Sequence, residues 1–539
     1  MRLLLAICAV FLALANVSAA ARKSGAAPAS PKSPVDEEQT NRYLGSIRHN
    51  PSLLRAFIRA MPKGGDLHNH LFGAIYAESF IGWAAKDGLC VDRKTLTLLQ
   101  PSCDDAEKPA ASKALDDFVL YREMVDAFSM RDWQPGHDSA HDHFFDSFFK
   151  FDAITHTHIG DMLAEAVSTA AADNLIYLEL MHTADNGEAR ELGARIGWDD
   201  DFEQLRSKMM AEGMNDLVAH TRRTLDDDEA RMREDLHCAA ADPDPGCRVT
   251  LRYLYQVLRG FPPEQVFAQI LLGFELAQAD PRFVGLNLVM PEDWYIPMRD
   301  FHLHMRMIDY LHKQYPKVHI TLHAGELAQG MVPPDGLTFH IRDSIDTGHA
   351  ERIGHGVDIM HEHDPIALLR QMSKQNILVE ICLTSNDMIL GVRGADHPLP
   401  TYMKYGVPVA LATDDEGVSR GDMTEEYLRA VQTYGLSYSD LKRMARESLE
   451  HSFLPGNSLW KTTSSFQRLA ACSSDSPGPK PSTTCSHFLT QNQRAQIEWN
   501  EEIQFARFEQ CGEKVGEGCT LARLPAIATG NTGEDATHP

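Results

Sequence analysis

The chain has 539 residues with 51 basic and 76 acidic side chains, a formal net charge of −25. Such an excess repels nucleic-acid phosphates and anionic membranes, leaving a small or neutral molecule as the better partner. Length alone allows about three domains, yet the pattern along the chain is that of one large barrel with additions, a fold that often outgrows the usual domain size.

The N-terminus reads Met1-Arg2, then an apolar run over 3–15, then Val17-Ser18-Ala19-Ala20, the order of a secretory signal peptide over 1–20. The run is too short for a permanent span; an uncleaved anchor is the alternative to cleavage near 19–21. Nothing later approaches the ~18 apolar residues of a membrane helix, so no stable membrane association is expected after cleavage, and the protein reads as secreted or periplasmic. Residues 21–61 divide into an Ala/Ser/Pro/Lys-rich flexible leader and a helical arm from about 36.

Short β-rich runs then alternate with amphipathic stretches over 62–456. Strands are predicted at 65–68, 175–181, 249–257, 283–289, 318–323, 352–355, 377–383 and 407–413, eight runs mostly separated by enough chain for a crossover helix. The fold class that follows is α/β: a (β/α)8 TIM-type barrel with helical inserts and a small disulfide-bearing C-terminal extension. Several runs, such as Ile-Leu-Val-Glu-Ile at 377–381, are apolar on both faces, as strands packed inside and covered outside must be. Many end at or just before His, Asp, Glu or Asn, and barrels collect their chemistry at that C-terminal rim.

Inserts near 77–151 and 184–248 interrupt the alternation, each with a cysteine couple, and are expected to form helical caps over the mouth. Pro455-Gly456 closes the barrel, and 457–539 is expected to hold a Ser/Thr/Pro-rich loop, one helix near 491–510 and a disordered tail. Of the ten cysteines, Cys8 lies in the signal. Eight others form four close couples in polar surroundings, so local disulfides Cys90–Cys103, Cys238–Cys247, Cys472–Cys485 and Cys511–Cys519 are expected, in keeping with an oxidising compartment. Cys382, in an apolar run, reads as a buried free thiol. The pattern leaves oligomeric state open.

Two histidines one residue apart on a strand point to the same side, so His68 and His70 can grip one cation. The same spacing on a helix or in a loop does not, and His141/His143, His156/His158, His302/His304 and His361/His363 are set aside on that ground. His323 ends the fifth strand with Glu326 three residues on, and the eighth runs into Asp414-Asp415. Three neutral imidazoles and one carboxylate suit Zn²⁺, one per chain, with a position left for water. His355, flanked by glycines at the end of the sixth strand, is a fifth ligand or a base, which leaves Glu326 to act as an acid toward a ring nitrogen.

Met61-Pro-Lys-Gly-Gly-Asp-Leu-His-Asn-His-Leu, His-Ala-Gly-Glu at 323–326, Arg-Ile-Gly-His-Gly at 352–356, Ser385-Asn386 and Thr-Asp-Asp at 413–415 resemble, in order, the adenosine deaminase family of the amidohydrolase superfamily. The signal peptide, arm and cysteine-bearing inserts are closest to its secreted branch. The resemblance implies zinc-dependent hydrolysis of the 6-amino group of adenosine or 2′-deoxyadenosine to the inosine-type product and ammonia. His68, His70, His323 and Asp414 would hold Zn²⁺, Glu326 would protonate N1 of the purine, His355 with Asp414 would position the attacking water, and Asp415 would hold N7. The chain departs from compact members in carrying Phe72 where they have an aspartate for the ribose hydroxyl, and Met290 where a glycine amide meets the purine. The Met290 amide is the expected replacement contact, and Glu292 or Asp293 are candidates for the missing sugar contact.

Other readings follow from the same residues. A deaminase of adenine or another 6-substituted purine is the nearest rival. A two-metal amidohydrolase needs a Lys or Glu on strand four, and 283–289 has neither. A secreted binding or growth-factor-like protein on a non-catalytic barrel would not need the complete set of ligands and proton donors.

Overall fold

The computed structural model describes residues 34–512 apart from Asp105 and His137. The expected signal peptide, most of the leader, Cys519 and the C-terminal tail lie outside the described residues.

Eight strands, β1 (Gly65–His70), β2 (Tyr177–His182), β3 (Thr250–Leu258), β4 (Phe283–Val289), β5 (His319–Ala324), β6 (Arg352–His355), β7 (Leu378–Ile381) and β8 (Val409–Leu411), pair in parallel in sequence order. The sheet closes just beyond β8, where Asn69 bridges Asp414: the Asp414 N–H donates to the His68 carbonyl at 2.9 Å and the His70 N–H to the Asp414 carbonyl at 3.2 Å. Closure thus runs through three of the expected ligands, and β1 extends two residues past its predicted end to include His70.

The barrel interior is not wholly apolar. Arg352 reaches across it from β6 to Glu179 at 2.7 Å and Glu380 at 2.6 Å, with its guanidinium 3.9 Å from the centre of the Phe453 ring. All three charged groups are buried. Arg352, Glu179 and Glu380 thus answer one another inside the barrel, which is the condition for burying charge at all.

The expected helical arm is two helices, Pro34–Ile47 and Pro51–Ala60. The break has a local cause: Asn50 caps the Leu53 N–H, and Pro51 takes the first helical position, where no N–H is needed. The helix expected near 491–510 is Gln493–Cys511, and a second, Thr483–Gln491, precedes it where a loop was expected. Helix Gln493–Cys511 packs under the barrel, where Glu501 accepts the Gly64 N–H at 3.0 Å just before β1. The extension therefore covers the end opposite the strand C-termini.

The two inserts differ from each other. Helix Ala140–Thr155 of the first presents Phe145, Phe148 and Phe149 to the cavity at the barrel mouth, as a cap should. The second does not roof the mouth. Its helices Glu188–Ile196 and Asn215–Asp235 pack on the barrel flank against Pro263–Ala279 and Ile159–Ala172, and only Asn186, Gly187 and Arg190 reach the cavity. The one-sided apolar stripe Leu217, Leu225 and Met232 is buried in that lateral contact. Disulfides Cys90–Cys103, Cys238–Cys247 and Cys472–Cys485 are formed as expected, Cys511 is also disulfide-bonded, and Cys382 is a buried free thiol.

Candidate active site

The C-terminal ends of the strands converge on a cavity of about 400 Å³. At its floor the ligand atoms of His68, His70, His323 and Asp414 lie within 4.8 Å of one another. Asp414 Oδ1 is 3.4 Å from His68 Nε2 and 3.2 Å from His70 Nε2, and His70 Nε2 is 3.3 Å from His323 Nε2. Each imidazole is oriented from behind. His68 donates from Nδ1 to Glu380 at 2.7 Å, His70 to Gln256 at 2.8 Å, and His323 to Asn287 at 2.9 Å. With every Nδ1 committed as a donor, every Nε2 lone pair points inward, the tautomer that a metal requires.

This donor set fits a divalent cation. His68 Nε2 is buried with no hydrogen-bond partner, an orphan that a cation would satisfy. Burial would lower the His68 pKa, but the carboxylates of Asp414 and Glu380 outweigh it and push it up to about 10, so this position favours a positive charge, which a cation on Nε2 would supply in place of a proton. Cys382 lies close by, its sulfur within 4.8 Å of ligand atoms of His68, His355 and Asp414.

His355 closes β6 at φ +67° and is fully buried. Behind it runs a chain of hydrogen bonds with one consistent direction. The Leu399 N–H donates to His397 Nδ1 at 3.1 Å, His397 Nε2 donates to Asn386 Oδ1 at 3.1 Å, and Asn386 Nδ2 donates to His355 Nδ1 at 3.0 Å. The proton of neutral His355 is thereby placed on Nε2, which stands 3.7 Å from Glu326 and 4.0 Å from Asp414. Burial pulls the ring down to about 3, so it stays neutral. With its proton on Nε2, His355 presents a hydrogen-bond donor toward Glu326 and Asp414.

Glu326 is buried, and burial, then the charges of Asp414 and Glu292, hold its carboxyl well above the usual range. The shift favours the protonated form, which can donate. Burial pushes Asp415 up to about 7, with the charge of His70 pulling the other way. Its Oδ1 is buried without a partner and packs on Gly73, where a Cβ would come within 1.6 Å. Met290 lines the cavity at φ +86°, with its carbonyl accepting from Arg259 and its sulfur from the Gly260 N–H at 3.3 Å.

Two expectations are overturned. Glu292 does not reach the cavity: it is buried beneath it, accepting the Gly325 and Glu326 N–H groups at 3.1 and 2.8 Å. Asp293 accepts from His141 Nε2 at 3.1 Å instead of facing a ligand. His156, set aside with the other spaced histidines, lies between two helices and lines the cavity rim. The residues that sequence reasoning missed are the orienting ones, Gln256, Asn287, Glu380 and His397, while Asn386 was quoted in a motif without a role. A signal existed for the first three, each a polar residue inside an apolar strand.

A parallel barrel with an imidazole and carboxylate cluster at its C-terminal mouth defines the class. The adenosine deaminase family model matches residues 137–465, and the chain belongs to that family. The match begins after β1, so the His68/His70 pair joins the site through the fold and not through the matched segment. Curated adenosine deaminases of Salmonella typhi and of Escherichia coli strain SE11 are 39% and 38% identical over 137 residues, which is 25% of this chain and 38% of each relative. The chain thus spans well under half the length of the relatives it matches. Among solved structures, an adenine deaminase of Arthrobacter aurescens aligns at TM-score 0.48 and 20% identity over 73% of this chain and 94% of its own. The Arabidopsis N6-mAMP deaminase aligns at TM-score 0.46 and 21% identity over 74% and 94%.

Proposed function

We propose that the protein is a secreted or periplasmic zinc-dependent deaminase that hydrolyses the 6-amino group of an adenine nucleoside, adenosine or 2′-deoxyadenosine, to the 6-oxo product and ammonia. The observation that carries the reading is one constellation: three imidazoles with inward lone pairs, Asp414, a buried Glu326 whose carboxyl is pushed toward its protonated form, and His355 around one cavity floor.

His68, His70, His323 and Asp414 would hold a divalent cation, which would supply the nucleophile by lowering the pKa of a water toward ~7. Protonated Glu326 donates to N1, drawing electrons from C6. Asp414 accepts a hydrogen bond from the attacking oxygen, and His355 Nε2–H steadies the charge that develops there. Asp415, with a pKa near neutrality, donates to N7 in its protonated form. The phenylalanines of helix Ala140–Thr155 keep bulk water from the floor.

A second reading, adenine or another 6-substituted purine, is favoured by one feature: Phe72 lines the cavity where a sugar-binding acid would stand. The disulfides support an oxidising compartment, and no helix among the described residues is long and apolar enough to cross a membrane. Glu326→Gln should retain zinc and lose nearly all turnover, whereas Asp414→Ala should lose zinc by elemental analysis. A Glu326→Gln enzyme at wild-type rate, or full zinc in Asp414→Ala, removes the respective role.

A further inference from the structure

Away from the cation cluster, the cavity wall carries a charge that no carboxylate answers. Arg190 lies in the first turn of helix Glu188–Ile196, just past β2. Its guanidinium rests 4.4 Å from the centre of the Phe261 ring and against Gly187, where a Cβ would stand 2.4 Å from Nη2. Gly187 is thus required twice, for its φ of +88° and for the space that the guanidinium fills. The Arg190 Nε is buried with no hydrogen-bond partner. His182, another residue lining the cavity, ends β2 at 3% exposure, and its Nδ1 is also buried and unpartnered. Burial lowers that ring to about 4, so it is neutral. Both residues line the same cavity as Glu326 and Asp414.

A guanidinium stripped of water on one edge, with an aromatic face in place of a counter-charge, costs free energy until an anion arrives. Its planar fork matches phosphate and carboxylate oxygens two at a time. The net charge of −25 does not oppose this, because long-range repulsion is screened beyond ~8 Å at physiological salt while Arg190 acts by contact. We propose that Arg190 binds an anionic group on the sugar of the purine substrate, so that the preferred substrate is a nucleoside monophosphate. His182 is placed to hydrogen-bond a sugar hydroxyl, the contact that Phe72 cannot make. Phosphodiester cleavage of a nucleic acid is the class of reaction that supplies such a substrate. The proposal rests on the deaminase reading of this cavity.

The test compares kcat/KM for adenosine, adenosine 5′-monophosphate and adenosine 3′-monophosphate in the zinc-loaded wild type and in Arg190→Gln. The expected result is at least a tenfold preference for one monophosphate, carried by KM, that Arg190→Gln reduces at least tenfold. No preference in the wild type, or a preference that survives Arg190→Gln, overturns it. Calorimetry with inosine and its 5′- and 3′-monophosphates separates this from failure of the deaminase reading. If no compound releases ammonia, yet a phosphate tightens binding tenfold only when Arg190 is present, the anion site stands and the chemistry falls. Equal affinities for inosine and its monophosphates overturn the anion site.

Discussion

Glu292 holds Glu326 through the backbone, its two carboxylate oxygens taking the N–H groups of Gly325 and Glu326 at 3.1 and 2.8 Å. The turn after β5 is fixed by a buried charge, and that charge also helps keep Glu326 protonated. Arg259, buried beside them, donates to the His323 and Met290 carbonyls and binds the ends of β4 and β5 to the same support. Glu292→Gln keeps one acceptor and loses the charge. Turnover should fall about tenfold, the scale of one weakened proton donor, with zinc content unchanged. Zinc loss in this variant would show that Glu292 supports the ligands instead.

Glu380 sits between the barrel interior and the cation floor, accepting from His68, Thr321 and Arg352 at 2.7, 2.9 and 2.6 Å. Glu380→Gln should weaken zinc binding ~10–100-fold, the usual effect of removing the acceptor behind a ligating imidazole. Competition with a chelator measures it, and wild-type affinity would mean that His68 is oriented without Glu380.

His397 makes its own prediction because it sets a tautomer without touching the cavity. His397→Ala should free Asn386 to turn, lowering kcat about tenfold or more while KM and zinc content hold. His397→Gln, whose amide can still donate to Asn386, should recover most of the loss. A shift in KM alone would place His397 in packing rather than in the orientation of His355.

The clustered residues were legible in the sequence and their support was not. His68 and His70 stood out because strand alternation puts both on one side, and His323, His355 and Asp414 because they terminate apolar runs. Asn287 and Glu380 were visible as polar residues inside such runs, but what they accept from depends on neighbouring strands. Glu292 read as a loop acid: Pro291-Glu292-Asp293 is locally indistinguishable from a solvated turn, and its burial is decided by the β5 turn more than thirty residues later. The lateral seat of the second insert was hidden for the same reason, since an apolar stripe shows that a helix packs but not on what.

Buried glutamates give the fold a pH dependence. Burial pushes Glu501, Glu447 and Glu426 each up to about 8, from an ordinary value of 4.5. The folded protein holds protons there that the unfolded chain releases, so their stabilising contribution is complete below about pH 4.5 and is lost as pH rises through 8. Burial lowers Lys63 to about 8, so its contribution grows as pH rises from there to its ordinary 10.5 and is complete above it. The thermal midpoint should therefore fall from pH 5 to pH 8. Glu501→Gln, which still accepts the Gly64 N–H, should make that fall shallower, and an unchanged slope would place the titrating groups elsewhere.

The most direct measurement is ammonia release by the zinc-loaded protein from adenosine, 2′-deoxyadenosine, adenine, AMP and 6-methylaminopurine riboside. The account predicts turnover of at least one 6-substituted purine, abolished by removing the metal and restored by adding zinc back. Full zinc occupancy with no ammonia from any of them would contradict it.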